Sequence, residues 1–224
     1  MNRKVYIVIV MLLFPAFLAA ANPGKEPVKN IPLQPETPTQ AIKALDAMAG
    51  QYRVGKRLTA ADQAFNRQLK EKMLKGTFDL RELAKLALDK YWKERTSKEQ
   101  DRFVDLLTNL IQERSVFSKE KASEKGDDQP YVIIYKGDRY TNPQKTDSFS
   151  KTAIRLKKRN MKVEIDYKLR KTLTGWKIYD VIMDDSSLVD NYRYSFGNII
   201  KKQGYPELVR RMENKLQEFR SKNS

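Results

Sequence analysis

From Met161 to Arg170 the chain alternates. Met161, Val163, Ile165, Tyr167 and Leu169 hold one parity, and Lys162, Glu164, Asp166, Lys168 and Arg170 hold the other. A period of two over this length predicts a strand with one covered face and one wet face. Lys171 to Gly175 turns the chain, and Trp176 to Met183 follows. Here Trp176, Ile178 and Ile182 share a parity, while Tyr179, Val181 and Met183 share the other. A run apolar on both parities predicts a strand inside the sheet. Tyr131 to Tyr135 and Phe149 to Leu156 complete a set of four antiparallel strands, with Gly137-Asp138 and Asn142-Pro143 as turn signals between them.

The remaining apolar positions recur at helical spacing. Ala41, Leu45, Met48, Ala49 and Tyr52 form one stripe. Ala64, Phe65, Leu69, Met73 and Leu74 form a second, opened by Thr59 or Asp62 and stopped by Gly76. Leu80, Leu83, Ala84, Ala87, Leu88 and Tyr91 form a third, with Asp79 and Glu82 as a capping box and Phe78 against Leu83 as a staple. Ser97 with Gln100 is expected to cap a fourth, whose apolar face runs through Phe103, Leu106, Leu107, Leu110 and Ile111 towards Val116 or Phe117. Ser118 to Gln129 reads as a loop. Ser187, with Asp190, opens a helix carrying Leu188, Val189, Tyr192, Phe196, Ile199 and Ile200. Gly204 ends it, and Pro206 to Phe219 begins the last, with Leu208, Val209, Met212, Leu216 and Phe219 inward. Helices, then strands, then helices predict an α+β domain, its antiparallel sheet of about four strands carrying helices on one side.

The N-terminus has a different pattern. Arg3-Lys4, an uncharged run from Val5 to Phe14, Pro15 and Ala19-Ala20-Ala21 have the parts of a secretory signal peptide over residues 1–21, with cleavage after Ala21. An uncleaved anchor is the alternative, since Val5 to Ala21 only just spans a bilayer core of ~30 Å. Residues 22–38 hold five prolines and read as a linker, leaving residues 39–224 as the folded domain.

Composition narrows the chemistry. There is no His and no Cys among the 224 residues. That removes the commonest general base, the thiolate nucleophile, disulfides and most transition-metal sites. No nucleophile elbow, phosphate-binding Gly-Lys loop or zinc-helix motif is present. Asp184-Asp185 is the nearest thing to a carboxylate pair for metal or acid-base work, and is read instead as charge at a strand end before a helix N-terminus. Asp180 sits on an otherwise apolar parity, where it either pairs with a basic residue, marks a bulge or acts as a functional carboxylate. The formal charge of +16, from 44 basic and 28 acidic residues, favours anionic partners. The run Arg155, Lys157, Lys158, Arg159 and Lys162 is either a solvated strand edge or a phosphate-contacting patch. For an exported chain, lipid headgroups or an acidic protein suit that patch better than nucleic acid. A cationic module for anionic surfaces or nucleic acid is the alternative reading.

Several of these blocks resemble one family. Asp166, Tyr167, Leu169, Arg170, then Gly175 to Val181, then Ser187, Leu188, Val189, Asn191, Tyr192 and Arg193 follow the order seen in the MlaC family. Phe78-Asp79-Leu80 with Leu83 and Ala84, and Tyr91-Trp92 followed by Ser97, Glu99, Gln100 and Phe103, resemble two further runs of it. The family often has a tyrosine near the position of Ser115, and this chain departs there. The resemblance implies a periplasmic phospholipid-binding carrier, not an enzyme, with an apolar lipid cavity between sheet and helices and no cofactor other than lipid cargo. It implies as partners an inner-membrane MCE-domain protein with its ABC permease and an outer-membrane lipoprotein-porin complex. The lipid-facing set put forward on this basis is Phe103, Leu107, Leu110, Ile111, Val163, Ile165, Tyr167, Leu169, Tyr179, Val181, Val189, Tyr192 and Phe196.

Overall fold

In the computed structural model, which describes residues 35–53, 57–123, 131–156 and 161–222, the alternating run becomes the centre of one antiparallel sheet. Strands β1 (Tyr131–Tyr140), β2 (Asp147–Leu156), β3 (Met161–Thr172), β4 (Gly175–Met183) and β5 (Ser186–Ser187) lie in sequential order. The signal-like segment, residues 22–34 of the linker, the basic positions 157–159 and the side chains of Val116 and Phe117 lie outside the described residues.

The sheet has five strands rather than four, and the acidic pair explains the fifth. Asp184 and Asp185 both take positive φ, 45° and 64°. Two successive left-handed residues make a tight hairpin turn, and Asp tolerates that conformation better than most residues. The turn returns Ser186 and Ser187 alongside Met183 and Ile182. Gly137-Asp138 is not a turn but the inside of β1, where the register slips between Tyr135 and Gly137. The turn itself is made by Asn142, whose Oδ1 accepts from Thr146 N at 2.9 Å and Asp147 N at 3.2 Å.

One sheet face is covered by helices. Ile165, Tyr167 and Leu169 of β3 point there and are buried, with Ile178 and Val181 of β4 beside them. Their β2 partners are polar: Thr152, Ser150 and Ser148 are equally buried. Ser150 Oγ donates to Asp138 Oδ1 at 2.6 Å, and Asp138 also accepts from Thr39 N at 3.1 Å and Thr39 Oγ1 at 2.9 Å. Helix α1 (Pro38–Ala49) therefore docks on β1 and β2 through a hydrogen-bonded seam. Its cap, Thr37, accepts from Gln40 N, so the helix begins one residue ahead of Thr39.

The other helices are α2 (Ala60–Thr77), α3 (Leu80–Leu88), α4 (Ser97–Ser123), α5 (Leu188–Gln203) and α6 (Tyr205–Lys222). Thr59 and Asp62 form the capping box of α2, which runs through Gly76 and ends against Phe78. Gly in a last turn does not stop a helix whose next backbone bonds are met, and Phe78 N still reaches Leu74 O. Asp79 caps α3, but Glu82 turns its carboxylate outward to Lys85 and Arg170 rather than back to the cap. Helix α4 is capped one residue earlier than expected. Thr96 Oγ1 accepts from Glu99 N, and Glu99 Oε2 accepts from Thr96 N at 2.9 Å. It also continues through Ser118 to Ser123, where a loop was expected. Ser187 caps α5 through Asp190 N, and Gly204, at φ 83°, ends it. Among the described residues no helix is long and apolar enough to cross a membrane.

The strand edge at β4 is closed by the chain before α3. Phe78 bridges Ile178, and Asp79 N donates to Ile178 O at 2.8 Å. That covers backbone groups that would otherwise invite another strand.

Candidate functional site

Most of the lipid-facing set falls into one body. Phe103, Leu107, Leu110 and Ile111 of α4, Ile165, Tyr167 and Leu169 of β3, Val181 of β4, and Val189, Tyr192 and Phe196 of α5 are buried in a single apolar cluster, against which Val163 packs. Tyr179 stands apart from it. The register shifts between Lys168 and Leu169, so that Lys168 faces Asp180 while Leu169 faces Ile178. Tyr179 is the extra residue of that bulge, half-buried beneath the Arg170 guanidinium at 5.2 Å. Past the bulge the parities exchange, which is why Val181 is buried and Ile182 is not.

Helix α5 supplies the aromatic centre. Tyr192 and Phe196, one turn apart, stack with centroids 5.1 Å apart, and Phe103 meets Phe196 edge-on at 5.6 Å. Around them α4, α5 and α6 enclose a crevice. Its lining brings Leu107, Leu110, Tyr192 and Phe196 together with Ile199, Leu208, Met212, Arg211 and Lys215. This crevice lies helix against helix. It holds about 390 Å³ of space counted with its open mouth, but only about 20 Å³ of it is free cavity. That is room for about one water molecule.

Ile199, Leu208 and Met212 were legible as inward positions but were not placed with the lipid-facing set. Arg211 and Lys215 carried a signal of their own: a basic pair spaced i, i+4 beside an apolar pair, Leu208 and Met212, at the same spacing. Glu207 holds Arg211 by a 2.7 Å bond and Arg210 by two more of 2.7 Å. These guanidinium bonds pull the Glu207 carboxyl from its ordinary 4.5 to about 2. Lys215 pairs with Glu218 at 2.8 Å. Arg102 of α4 and Glu213 of α6 pair across the same helix interface. The mouth of the crevice is thus rimmed by ion pairs that are partly exposed to solvent.

Asp180 resolves as a structural hub. It is 1% exposed, and its carboxylate accepts from Lys168 Nζ at 3.0 Å, Ser187 Oγ at 2.8 Å and Val189 N at 3.1 Å. Every direction from which it would approach a substrate is occupied. Burial raises the Tyr167 phenol above its ordinary range, so it stays neutral. Among the described residues no group of three or more acidic side chains is arranged to hold a metal ion. In the basic run, Lys162 is bonded to Glu164 at 2.8 Å.

Comparison with known proteins adds to this geometry. The family model described as MlaC protein matches residues 43–214. No curated protein matches the sequence. Among solved structures, a phospholipid-binding protein from Ralstonia solanacearum, in complex with a phospholipid, shares the fold. It superposes with a TM-score of 0.56 at 21% identity, over 68% of this chain and 80% of that one.

Proposed function

Because the chain belongs to the MlaC family, we propose that it is a periplasmic phospholipid-binding carrier, exported by a cleaved signal peptide, that shuttles lipid between membrane complexes. The observation that carries the reading is the fold it shares with a protein solved around a phospholipid. In this reading its docking points are an inner-membrane MCE-domain protein with an ABC permease and an outer-membrane lipoprotein-porin complex. The process served is the maintenance of outer-membrane lipid asymmetry and, with it, toluene tolerance.

The physical task is burial, not bond chemistry. Each acyl methylene taken out of water is worth ~0.8 kcal/mol, so a tail of ~15 carbons meets a barrier of roughly 12 kcal/mol when it leaves a bilayer unaided. A protein that offers the tail an apolar lining of equal quality removes that barrier and leaves transfer close to neutral. Direction then belongs to the partners. The lining we assign is the α4–α5 part of the cluster, Phe103, Leu107, Leu110, Ile111, Val189, Tyr192 and Phe196, extended by Ile199, Leu208 and Met212. Val163, Ile165, Tyr167, Leu169 and Val181 form the sheet-side wall. About 20 Å³ of free cavity is far below the 300 Å³ or more of ordinary ligand pockets, so tails enter by parting α6 from α4 and α5. The polar headgroup remains at the mouth, where Arg211 and Lys215 meet its phosphate.

Native mass spectrometry of the protein taken from a Gram-negative periplasm tests the proposal. Bound phospholipid, or uptake of it from liposomes, is the expected result. A protein that is lipid-free and stays so after incubation with liposomes overturns it.

A further inference from the structure

The two hairpins at one end of the sheet form a tip that the lipid-carrying reading does not use. The β3–β4 loop is Leu173-Thr174, and Leu173 is fully exposed. Among the described residues no other large apolar side chain is so open to solvent. The loop holding it is not loose. Thr172 Oγ1 donates to Gly175 O at 2.8 Å and accepts from Thr174 N at 3.2 Å. Lys171 N donates to Thr146 O at 2.7 Å, which ties this hairpin to the β1–β2 turn beside it. That second turn carries Lys145 and, at its base, Tyr140, an exposed aromatic over which the Lys145 ammonium lies at 5.9 Å.

An apolar side chain at the apex, an amphipathic ring beside it and lysines on both flanks are the elements of an interfacial anchor. The apex enters the acyl boundary while the long cationic stems reach the phosphates. The local charge fits. Lys145 and Lys171 are exposed, and neither is in a salt bridge among the described residues. Asp147, the acid between the two tips, is taken up by Asn142 at 2.7 Å and Arg170 at 3.6 Å. The base of the tip is braced from outside the sheet. Pro35 lies against Gly175, and Trp176 Nε1 donates to Glu36 O at 3.1 Å.

We propose that the Leu173 tip, flanked by Lys145 and Lys171, docks on the surface of an anionic phospholipid bilayer. This is a contact with the membrane surface, distinct from lipid held as cargo, and it does not depend on the crevice between α4, α5 and α6.

The test is a local probe in the full chain. Leu173→Trp places an indole at the apex, where full exposure means that the fold does not resist it. Both native tryptophans are buried, so the difference from wild type reports the tip. On mixing with phosphatidylethanolamine–phosphatidylglycerol vesicles at low salt, the added emission is expected to shift to the blue and to be quenched by brominated acyl chains. Adding Lys145→Glu and Lys171→Glu is expected to lower vesicle affinity by tenfold or more, at ~1 kcal/mol per basic residue near an anionic surface. Tyr194→Trp, at an exposed position on α5, serves as the control and should show neither effect. An unshifted, unquenched tip indole overturns the proposal. So does an equal response from the α5 probe, or full affinity after both charge reversals. Native mass spectrometry of the same variants reads cargo occupancy separately, so loss of docking and loss of cargo are told apart.

Discussion

Lys168 Nζ lies 3.0 Å from Asp180 Oδ2, across the one point where β3 and β4 fall out of step. The same carboxylate caps α5 through Val189 N and Ser187 Oγ. One buried acid therefore fixes the bulge, the fifth strand and the start of the helix that carries Tyr192 and Phe196. Asp180→Ala leaves a buried N–H and a hydroxyl without acceptors and frees a lysine. It should cost about 2–4 kcal/mol. Urea unfolding followed by circular dichroism should show a lower midpoint with an unchanged slope. Asp180→Asn keeps one acceptor and should lose less.

Acid should act on α6 late. Glu207 has a folded-state pKa of about 2 against an ordinary 4.5, because Arg210 and Arg211 favour its charged form. A depressed carboxyl pKa contributes stability that is complete above the unfolded value and disappears as pH falls through the folded one. Glu164, held by Lys136 and Lys162, and Asp62, held by Thr59 and Arg53, have the same direction and also lie at about 2. Carboxyl-carbon NMR titration should place the Glu207 midpoint near 2. Replacing both Arg210 and Arg211 by Met should return it towards 4.5 and abolish the contribution that the wild type loses between pH 4.5 and 2.

Filling the helix crevice separates packing from cargo. Met212→Trp puts a larger side chain where about 20 Å³ is free, and overpacking of this kind costs about 1–3 kcal/mol. If tails enter between α4, α5 and α6, lipid occupancy by native mass spectrometry should fall several-fold while the circular dichroism spectrum is kept. Val163→Trp, at a half-buried position on the sheet side, should lower occupancy less. Equal and full occupancy in both variants would remove the lining assigned here.

Gly175 has two reasons to be glycine. Its φ is 97°, and a Cβ there would stand 3.0 Å from Pro35 Cδ. Gly175→Ala should destabilise by about 1–3 kcal/mol, lowering the melting temperature by roughly 2–10 °C. It should also loosen the Trp176 bond to Glu36, seen as a change in tryptophan emission.

The elements that local chemistry specifies were legible. The alternating run of β3, the start of α2 at Thr59, one of its two candidates, and the Ser187 cap all follow from residue type and spacing. What was not legible depends on partners distant in the chain. Thr96 competes with Ser97 for the start of α4, and both are good caps; Glu99 rather than Gln100 decides the matter by reaching back to Thr96. The bulge at Tyr179 inverts the faces of β4 midway; Asp180, polar on an apolar parity, pointed to a bulge or a basic partner and has both, but not to which faces would exchange. The crevice-facing role of Ile199, Leu208 and Met212 depends on how three helices meet, since a residue facing a neighbour and one facing a gap have the same character. The buried set itself was nearly complete; which part of it borders free space was not.

The row Ser148, Ser150 and Thr152 divides the ceiling under the helices into unequal halves. Beneath β3 and β4 a hydrocarbon chain meets only hydrocarbon and ring faces. Beneath β1 and β2 it would have to strip hydroxyls and the Asp138 carboxylate of the bonds that fasten α1. In the proposed carrier, an acyl tail is therefore kept off that half of the sheet. It is left the side where α5 lies, and α1 is fastened as a wall rather than hung as a door.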